Sequence, residues 1–237
     1  MDNFIVIDAF NHALIGASTA LRKNLPDSDF KDFLYQVLEG MIVKLKRTFP
    51  GTYYACWDSP GGTKFRKELS SDYKATRAKS PLPYETLMEL KDYYALFGIN
   101  NITLPSCEGD DAIFALCKVL REANPQARIT VVSRDHDLIQ VAQEGYATEI
   151  YDPVKKALME LPYYSVVEYK ALVGDNSDNL PGVSGIGPKT ALKVISGMIP
   201  LTESQKADYE KMLDIIDAKR NPNLENNIKQ IKELLAK

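Results

Sequence analysis

Three apolar runs along the chain each end in acidic residues. Near-continuous apolar runs of this length are typical of strands buried on both faces, as in parallel sheets. The runs and the acids that follow them are residues 4–7 with Asp8, residues 53–57 with Asp58, and residues 129–133 with Asp135 and Asp137. The pattern therefore predicts parallel strands that bring carboxylates to one edge of a sheet.

Between these runs the apolar positions follow a helical period. Eight of them within residues 30–45 alternate steps of three and one, and shorter stripes fall within residues 87–97 and 113–120. Strands that alternate with amphipathic helices predict an α/β domain with a mostly parallel central sheet over residues 1–155. The strand pattern then stops, and residues 156–237 are predicted to form a second, mostly helical subdomain.

The composition narrows the classes of protein to consider. The chain has 237 residues, enough for one or two domains with cores of their own. Three cysteines and two histidines argue against a disulfide scaffold and against a zinc site. Because no apolar run approaches the roughly 18 residues of a transmembrane helix, and the acidic start does not resemble a signal peptide, we expect a cytoplasmic globular enzyme or binding protein with no membrane partner.

The acidic residues form five clusters, three of them at the ends of the predicted strands. Ligands of open α/β sheets bind at this edge. The complete set of candidate metal ligands is Asp8, Asp58, Glu108, Asp110, Asp111, Asp135, Asp137, Asp175 and Asp178. Any one of them could instead be a helix N-cap or a turn residue. Together they predict a site for two Mg²⁺ or Mn²⁺ ions, because oxygen ligands select these cations and so many carboxylates would repel one another without them.

The charge distribution bears on a nucleic-acid partner. The formal net charge of −3 alone argues against one, but cations bound to the nine carboxylates would leave the chain net positive. Residues 64–79 hold six basic side chains against two acidic ones, with Phe65 and Tyr73 between them. This segment could bind phosphates and stack on bases, or it could be a solvated loop.

A glycine-rich turn follows in residues 180–191. Gly182 and Gly187 have the spacing of a phosphate-binding P-loop, but Pro188 displaces Lys189 and no predicted strand precedes the turn, so we reject that interpretation. A hairpin would direct backbone N–H groups and Lys189 at a nucleic-acid backbone, and its carbonyl groups could hold K⁺. A plain connection between helices is an equal alternative.

With these segments the chain resembles the 5′ nucleases of the flap-endonuclease superfamily, which includes the 5′→3′ exonuclease domain of bacterial DNA polymerase I and stand-alone bacteriophage enzymes. The likeness covers nearly the whole chain. The matching segments are residues 6–11 (VIDAFN), 57–58 (WD), 65–66 (FR), 73–77 (YKATR), 108–112 (EGDDA), 133–138 (SRDHDL) and 172–183 (LVGDNSDNLPGV). Ala9 replaces a glycine common in the family, and His136 separates two of the acids; neither change removes a ligand.

The resemblance implies a fold and a role for each matching residue. The fold would be a PIN-like or resolvase-like α/β domain with a helical arch over residues 62–100 and a helix-hairpin-helix subdomain with its glycine hairpin at residues 180–196. The implied catalytic residues are Asp8, Asp58, Asp110, Lys74 and Arg77. The implied DNA-binding residues are Arg66, Lys67, Tyr73, Lys74, Arg77, Gly182, Ser184, Gly185, Gly187, Lys189 and Thr190.

The activity implied by the resemblance is that of a monomeric, divalent-metal-dependent 5′ nuclease. Its substrate would be DNA with 5′ flaps or 5′ ends, including RNA-primed ends, in replication or repair. The alternatives are a junction-binding protein with little catalysis and a PIN-type ribonuclease. Because the sequence contains no polymerase segment, we expect either a stand-alone nuclease or a piece of a longer protein.

Overall fold

A computed structural model describes residues 2–24, 26–77 and 80–236, and a single six-stranded sheet lies at its centre. The strands are β1 (Asn3–Asp8), β2 (Thr52–Trp57), β3 (Ile99–Thr103), β4 (Arg128–Val132), β5 (Glu149–Asp152) and β6 (Ala157–Leu158). Their order is β3-β2-β1-β4-β5-β6; the first five are parallel and only β6 is antiparallel. The prediction of a mostly parallel sheet is confirmed.

Helices cover both faces of the sheet and form the C-terminal part of the chain. They are α1 (Ala9–Leu21), α2 (Asp27–Thr48), α3 (Lys64–Leu69), α4 (Tyr84–Leu96), α5 (Gly109–Ala123), α6 (Ile139–Gln143), α7 (Val166–Val173), α8 (Pro188–Ile195), α9 (Glu203–Ile216) and α10 (Leu224–Leu235). The three predicted amphipathic stripes correspond to α2, α4 and α5. No helix in the described part of the chain is long and apolar enough to cross a membrane.

Two hydrophobic cores sandwich the sheet. One holds side chains of α1, α2 and α4, and the other holds those of α5 and α10. Alternate residues of β1 divide between them: Ile5 and Ile7 pack into the first core, and Val6 packs into the second. Burial on both faces explains why the sequence of the central strands reads as a continuous apolar run.

The strand order determines where a ligand can bind. β1 lies between β2 and β4, and the connections from β1 and from β4 lead to helices on opposite faces, α1 and α6. The loops at the carboxyl ends of β1 and β4 therefore diverge and leave a crevice, the usual ligand site of such sheets. Asp8 ends β1 at this crevice.

The C-terminal helices do not all belong to a separate unit. Helices α7, α8 and α9 surround two small cores of their own. Ala218, Ile228 and Ile231, however, are buried in the core beneath α5. The chain after α9 thus returns to the α/β domain, so the predicted helical segment 156–237 contributes to three cores.

The predicted helical arch over residues 62–100 is helical only in part. In the described residues, α3 ends at Leu69, turns cover residues 71–76, and α4 begins at Tyr84 after Pro83. Tyr73 is buried against Leu180 and Met212 from the C-terminal subdomain. The turn segment therefore lies across the crevice and is anchored on its far side.

The glycine hairpin packs tightly through its backbone. Asp175 and Leu180 form an antiparallel bridge, and Gly174 and Gly182 lie together at its base with φ values of +86° and +68°. A Cβ atom on Gly182 would lie 2.4 Å from the amide nitrogen of Gly174. Gly182 is buried, so it shapes the hairpin and does not face a DNA strand as the resemblance implied.

Gly182→Ala should destabilise the protein far more than Gly185→Ala. Both glycines have positive φ, which costs alanine about 1–2 kcal/mol. Only Gly182 has backbone atoms within 3 Å of the added Cβ, whereas no heavy atom lies within 4 Å at Gly185. We expect the Gly182 variant to lose at least ~2 kcal/mol more free energy of unfolding in urea, because overpacking adds its own cost. Equal losses would show that the close approach does not hold the hairpin together.

Candidate metal centre and cationic clamp

The centre of the site is Asp8, which is fixed by hydrogen bonds from two directions. Its Oδ1 accepts a hydrogen bond from the amide of Asn11 at 3.1 Å, so it caps α1. Its Oδ2 accepts one from the hydroxyl of Ser133 at 2.7 Å. Ser133 Oγ in turn accepts from the amide of Asp135 at 2.9 Å. The ends of β1 and β4 are thus joined by a continuous chain of hydrogen bonds.

Asp58 and Asp110 complete this side of the crevice. Asp58 follows β2, and its Oδ1 accepts a hydrogen bond from the amide of Gly109 at 2.6 Å. Gly109 is the first residue of α5, so this contact places Asp110 at the crevice. Charge repulsion from Asp135 and Asp58 acts on both Asp8 and Asp110. The structure therefore brings four of the predicted acids together.

The pKa values of this group reflect its crowding. Burial is the main cause that raises the pKa of Asp8 to about 7, and the Asp135 and Asp58 charges add to it against the hydrogen bonds of Ser133 and Asn11. Burial, followed by the charges of Asp135 and Asp8, raises the pKa of the Asp110 carboxyl well above its usual range. Bound cations would relieve both costs.

A second acidic group lies beside the first. Asp137, Asp175 and Asp178 each offer a carboxylate oxygen, and these oxygens lie within 4.8 Å of one another. The ammonium group of Lys170, on α7, forms ion pairs with Asp137 and Asp175. Burial and the Asp135 charge raise the pKa of Asp137 to about 6, although Lys170 lowers it. The three carboxylates thus concentrate negative charge around the ammonium group of Lys170.

Arg66 forms a buried network under the site. Its NH1 and NH2 groups donate to both oxygens of Asp111, at 2.8 and 2.7 Å, and NH1 also donates to Glu108 at 2.6 Å. Its Nε donates to the carbonyl oxygen of Ile215 at 2.9 Å. One guanidinium group thus joins α3, α5 and α9. The structure differs here from the expectation that Arg66 contacts DNA, because its side chain is buried and its donors are engaged.

Three other predicted site residues, Tyr73, Glu108 and Asp111, are engaged in the same network. Tyr73 is only 4% exposed and its hydroxyl donates to Glu108 at 3.3 Å, so its ring is not available to stack on a base. Asp111 has both carboxylate oxygens on Arg66, and Glu108 is shared between Arg66 and Lys74. Glu108 and Asp111 therefore orient the positively charged side chains of Arg66 and Lys74 beside the site.

Lys74 and Arg77 bring positive charge over the crevice. Lys74 has a φ of +57°, and its amide donates to the carbonyl oxygen of Asp178 at 3.0 Å. This strained turn directs its ammonium group to Glu108. Arg77 donates to Asp178 Oδ1 at 2.6 Å and keeps a half-exposed side chain. The two cations and the two acidic groups face each other across the crevice.

The remaining predicted DNA-binding residues lie on the surface. Lys67 on α3 is exposed, and Lys189 is exposed in the first turn of α8. Ser184, Gly185 and Gly187 are exposed in the hairpin, and Thr190 is partly exposed. Pro188 is the first residue of α8, as the sequence predicted, and no side chain caps the amide groups of the first turn of this helix.

Sequence reasoning missed Lys170 and Ser133, although both contact predicted acids. Ser133 lay inside the recognised strand and could have been suspected, because a hydroxyl at a strand end can orient a neighbouring carboxylate. Lys170 gave no such signal. It lies five residues before Asp175, and only the fold of α7 brings it to Asp137.

A protein-family model described as 5′-3′ exonuclease, N-terminal resolvase-like domain, matches residues 6–170. A second, described as 5′-3′ exonuclease, C-terminal SAM fold, matches residues 161–236. The chain belongs to the 5′-3′ exonuclease family. The overlap of the two matched ranges falls at α7, which carries Lys170 at the boundary between them.

Curated relatives in this family include exonucleases and polymerases. A 5′-3′ exonuclease of Bacillus subtilis is 34% identical over 67% of this chain and 56% of its own length. DNA polymerase I of Lactococcus lactis is 28% identical over 82% of this chain and 23% of its own. Flap endonuclease Xni of Shewanella halifaxensis is 32% identical over 82% of this chain and 77% of its own. The chain thus spans little more than half of the exonuclease and under a quarter of the polymerase.

Solved structures of proteins from bacteriophage T5 have the same fold as this chain. A T5 protein co-crystallised with metal ions superposes with a TM-score of 0.70 at 19% identity, over 98% of this chain and 99% of that one. A T5 flap endonuclease in a complex with DNA and metal ions gives a TM-score of 0.67 at 19% identity, over 99% and 100%. The whole described architecture is therefore that of a known fold.

Proposed function

We propose that this protein is a divalent-metal-dependent 5′ nuclease that hydrolyses DNA phosphodiesters at 5′ flaps and 5′ ends. The observation that carries the proposal is the meeting of two acidic groups at the crevice of the sheet, with Lys74 and Arg77 facing them. Metal-assisted hydrolysis of a phosphodiester requires carboxylates that hold the metal ions and positively charged groups that bind the phosphate. Family membership and the T5 complexes with DNA and metal ions support the same activity.

The residues present fit two divalent cations. Every donor in the two groups is a carboxylate oxygen, the ligand type of Mg²⁺ and Mn²⁺. Asp8, Asp58, Asp110 and Asp135 would hold one ion, and Asp137, Asp175 and Asp178 would hold the other. The ion pairs of the Lys170 ammonium group with two acids of the second group support a site that attracts positive charge. His136 is exposed, and the three cysteines are buried in the hydrophobic core beneath α5.

The protein's own residues would position the substrate and its reacting groups. Bound divalent cations lower the pKa of water and offset the charge that develops on a phosphate. Ser133 and Gly109 hold Asp8 and Asp58 in fixed orientations by hydrogen bonds. Lys74 and Arg77 would exchange their present carboxylate partners for the oxygens of the scissile phosphate. Lys67, Lys189 and the exposed hairpin amides would hold the flanking backbone without reading its sequence.

A cleavage assay tests the proposal directly. A 5′-labelled flap substrate is incubated with Mg²⁺ or with EDTA, beside a blunt duplex and a single-stranded RNA of the same length. We expect Mg²⁺-dependent cutting near the flap junction and little cutting of the controls. Tight binding without cutting in Mg²⁺ and in Mn²⁺ would favour the junction-binding alternative. Cutting of the RNA alone would favour the ribonuclease.

The finer expectations from the sequence belong to the same proposal. Backbone carbonyl groups of the hairpin between Gly182 and Gly187 are the oxygens that would hold K⁺. RNA-primed 5′ ends, action in the cytoplasm of a bacterial cell and a monomeric state stay predictions. Each has a simple test: K⁺ dependence of duplex binding, a chimeric RNA–DNA flap substrate, localisation of a tagged chain, and sedimentation.

The metal-free protein should lose stability as the pH rises from 6.5 to 8. The folded pKa values of Asp8 and Asp137, about 7 and about 6, exceed the unfolded value of ~3.9, so the folded state holds protons that the unfolded chain has released. This stabilisation is present at low pH and disappears as the pH rises through 6–7. Burial lowers the pKa of His12 to about 4, and its opposing effect ends at about pH 6.5.

Mg²⁺ should therefore raise the melting temperature more at pH 8 than at pH 6.5. Deprotonated carboxylates bind the ion without first losing a proton, and binding to the folded state adds stability. A difference of about 1 kcal/mol corresponds to roughly 2–4 °C for a chain of this size. Differential scanning fluorimetry with NaCl of equal ionic strength as the control measures it. The same Mg²⁺ effect at both pH values would contradict the raised pKa values.

A further inference from the structure

A small pocket lies between α2 and the turn that follows β5. Its walls include Met41 and Leu45 from α2 and Tyr151 from β5, and its volume is about 270 Å³. Its described lining includes none of the candidate metal ligands and none of the residues proposed to hold DNA. The proposed cleavage reaction therefore does not account for this pocket.

Two lysines meet at the pocket without a carboxylate partner. Lys44 lies on α2, and Lys156 lies in the turn between β5 and β6. A side-chain contact with Lys156, followed by the charge of its ammonium group, lowers the pKa of Lys44 below its usual value. Neither lysine forms an ion pair with an acid in the described part of the chain. Because two like charges in contact repel each other, an anion bound between them would be stabilising.

The turn that carries Lys156 has a fixed shape. The buried Asp152 accepts hydrogen bonds through its Oδ1 from the amides of Val154 and Lys155, at 2.8 and 3.0 Å. The amide of Lys156 donates to the carbonyl oxygen of Asp152 at 2.8 Å, and its φ is +58°. A non-glycine residue keeps such a conformation only where its surroundings hold it. The turn therefore keeps Lys156 beside Lys44.

A buried imidazole at the pocket has one unpaired nitrogen. His12 on α1 is only 1% exposed and belongs to the lining. Its Nδ1 lies 2.6 Å from the hydroxyl oxygen of Tyr94, whereas its Nε2 has no hydrogen-bond partner among the described residues. Buried polar atoms are normally paired. A polar group that enters the pocket would supply the missing partner.

Gly40 leaves space in the pocket wall. It lies in the interior of α2, where glycine is less favourable than alanine or leucine. Its φ is not positive, and a Cβ atom there would meet no heavy atom within 4 Å. Neither the backbone conformation nor close packing therefore requires a glycine. Since Gly40 lines the pocket, a larger side chain would take up part of its volume.

We propose that this pocket binds a nucleoside monophosphate, with its phosphate on Lys44 and Lys156 and its base between α2 and Tyr151. Paired ammonium groups bind a phosphate, an aromatic ring offers a stacking surface, and His12 offers a polar atom for the edge of a base. The volume lies just below the ~300–1,000 Å³ of pockets for drug-sized ligands, so it admits one nucleotide and no longer strand. The site is separate from the metal centre and does not depend on the nuclease function.

Calorimetric titration of 2′-deoxyadenosine 5′-monophosphate into the EDTA-treated protein tests the proposal without cleavage. We expect Lys44→Ala and Lys156→Ala each to weaken the Kd by about 10-fold, because each removes a hydrogen bond to a charged group. Lys155→Ala, an exposed neighbour outside the pocket, is the matched control and should stay within about twofold. Gly40→Leu should abolish binding and melt no lower than wild type, because leucine is the better helix former.

Further ligands separate the sources of the phosphate. Deoxyadenosine alone and inorganic phosphate alone should each bind at least about 10-fold more weakly than the nucleotide. Equal affinity for inorganic phosphate would overturn the nucleotide site. Binding of a 5′-phosphorylated DNA oligonucleotide that Gly40→Leu abolishes, without binding of the nucleotide, would also overturn it, since the phosphate would then be a strand end.

Asp110→Asn separates this pocket from the metal centre. The variant should bind the nucleotide as tightly as wild type, because Asp110 does not line the pocket. Loss of binding in this variant, with unchanged affinity in Gly40→Leu, would place the nucleotide at the carboxylates and overturn the proposal. Absence of flap cleavage by the wild-type protein would refute the nuclease function and leave the result of the titration as it stands.

Discussion

Replacing Asp110 by asparagine is expected to reduce cleavage of a flap substrate by about 10³-fold, about 4 kcal/mol of lost transition-state stabilisation. Asp110 lies on α5 among Asp8, Asp58 and Asp135. Asparagine has nearly the same shape but no charge, so the ligand set loses one of its anions. Single-turnover cleavage at saturating enzyme measures the effect on the chemical step.

DNA binding should survive the same substitution. The groups proposed to hold phosphates are Lys74, Arg77 and the hairpin, none of which the change removes. We expect the Kd for flap DNA, measured in Ca²⁺ by fluorescence anisotropy, to stay within about threefold, since phosphate contacts dominate affinity. Asp92→Asn, an exposed acid on α4, provides the control for a charge change outside the site. Cleavage within tenfold of wild type would remove Asp110 from the metal centre.

Stability should move in the opposite direction from activity. Burial and neighbouring charges make the Asp110 carboxylate costly in the metal-free protein. Asparagine removes that cost, so the metal-free variant should melt at the same temperature as wild type or higher. Such a gain is typical of residues that a protein retains for chemistry at the expense of stability.

The acids of the site could be predicted because parallel strands impose a simple geometry. Each of Asp8, Asp58 and Asp135 follows an apolar run, and the carboxyl ends of parallel strands meet at one edge. Strands β3 and β5 were missed for local reasons. Polar Asn100 and Asn101 interrupt the apolar pattern of β3, although Asn101 is engaged by Trp57. β5 has only four residues.

Helix α1 was missed for a different reason. Its core positions are mostly small residues, namely Ala9, Ala13, Ala17 and Ala20. Alanines at steps of four and three produce a weak hydrophobic signal, yet they allow close packing against α2, where a Cβ on Gly16 would lie only 2.7 Å from the side chain of Leu38. A pattern based on large apolar residues cannot detect such a helix.

The partners of the acids could not be predicted, because they come from distant parts of the chain. In the sequence, Arg66 is one of six basic residues in a segment whose composition favours DNA binding. In the fold it contacts Glu108, Asp111 and Ile215, which are 42, 45 and 149 residues away. Composition indicates how many charges a segment has, while only the tertiary structure shows which of them are already paired.

That pairing makes Arg66→Met the substitution with the largest expected effect on stability. Methionine approximates the length of the side chain but leaves Asp111 without a partner in a buried position and leaves the Ile215 carbonyl without its donor. Removal of one member of a buried ion pair costs about 3–5 kcal/mol. We expect a loss of that size in the free energy of unfolding, measured in urea. Lys67→Met, at the exposed neighbouring position, should change it by less than ~0.5 kcal/mol.

A second substitution separates the charge effect from lost packing. In the Arg66→Met background, Asp111→Asn removes the unpaired carboxylate and should recover at least ~1 kcal/mol, although each change alone is destabilising. Recovery requires that Asp111 be buried and paired with Arg66, as its two hydrogen bonds from that side chain indicate. If the two losses simply add, the pair is not coupled, and Arg66 stabilises the fold through its other contacts, with Glu108, Phe65 and Ile215.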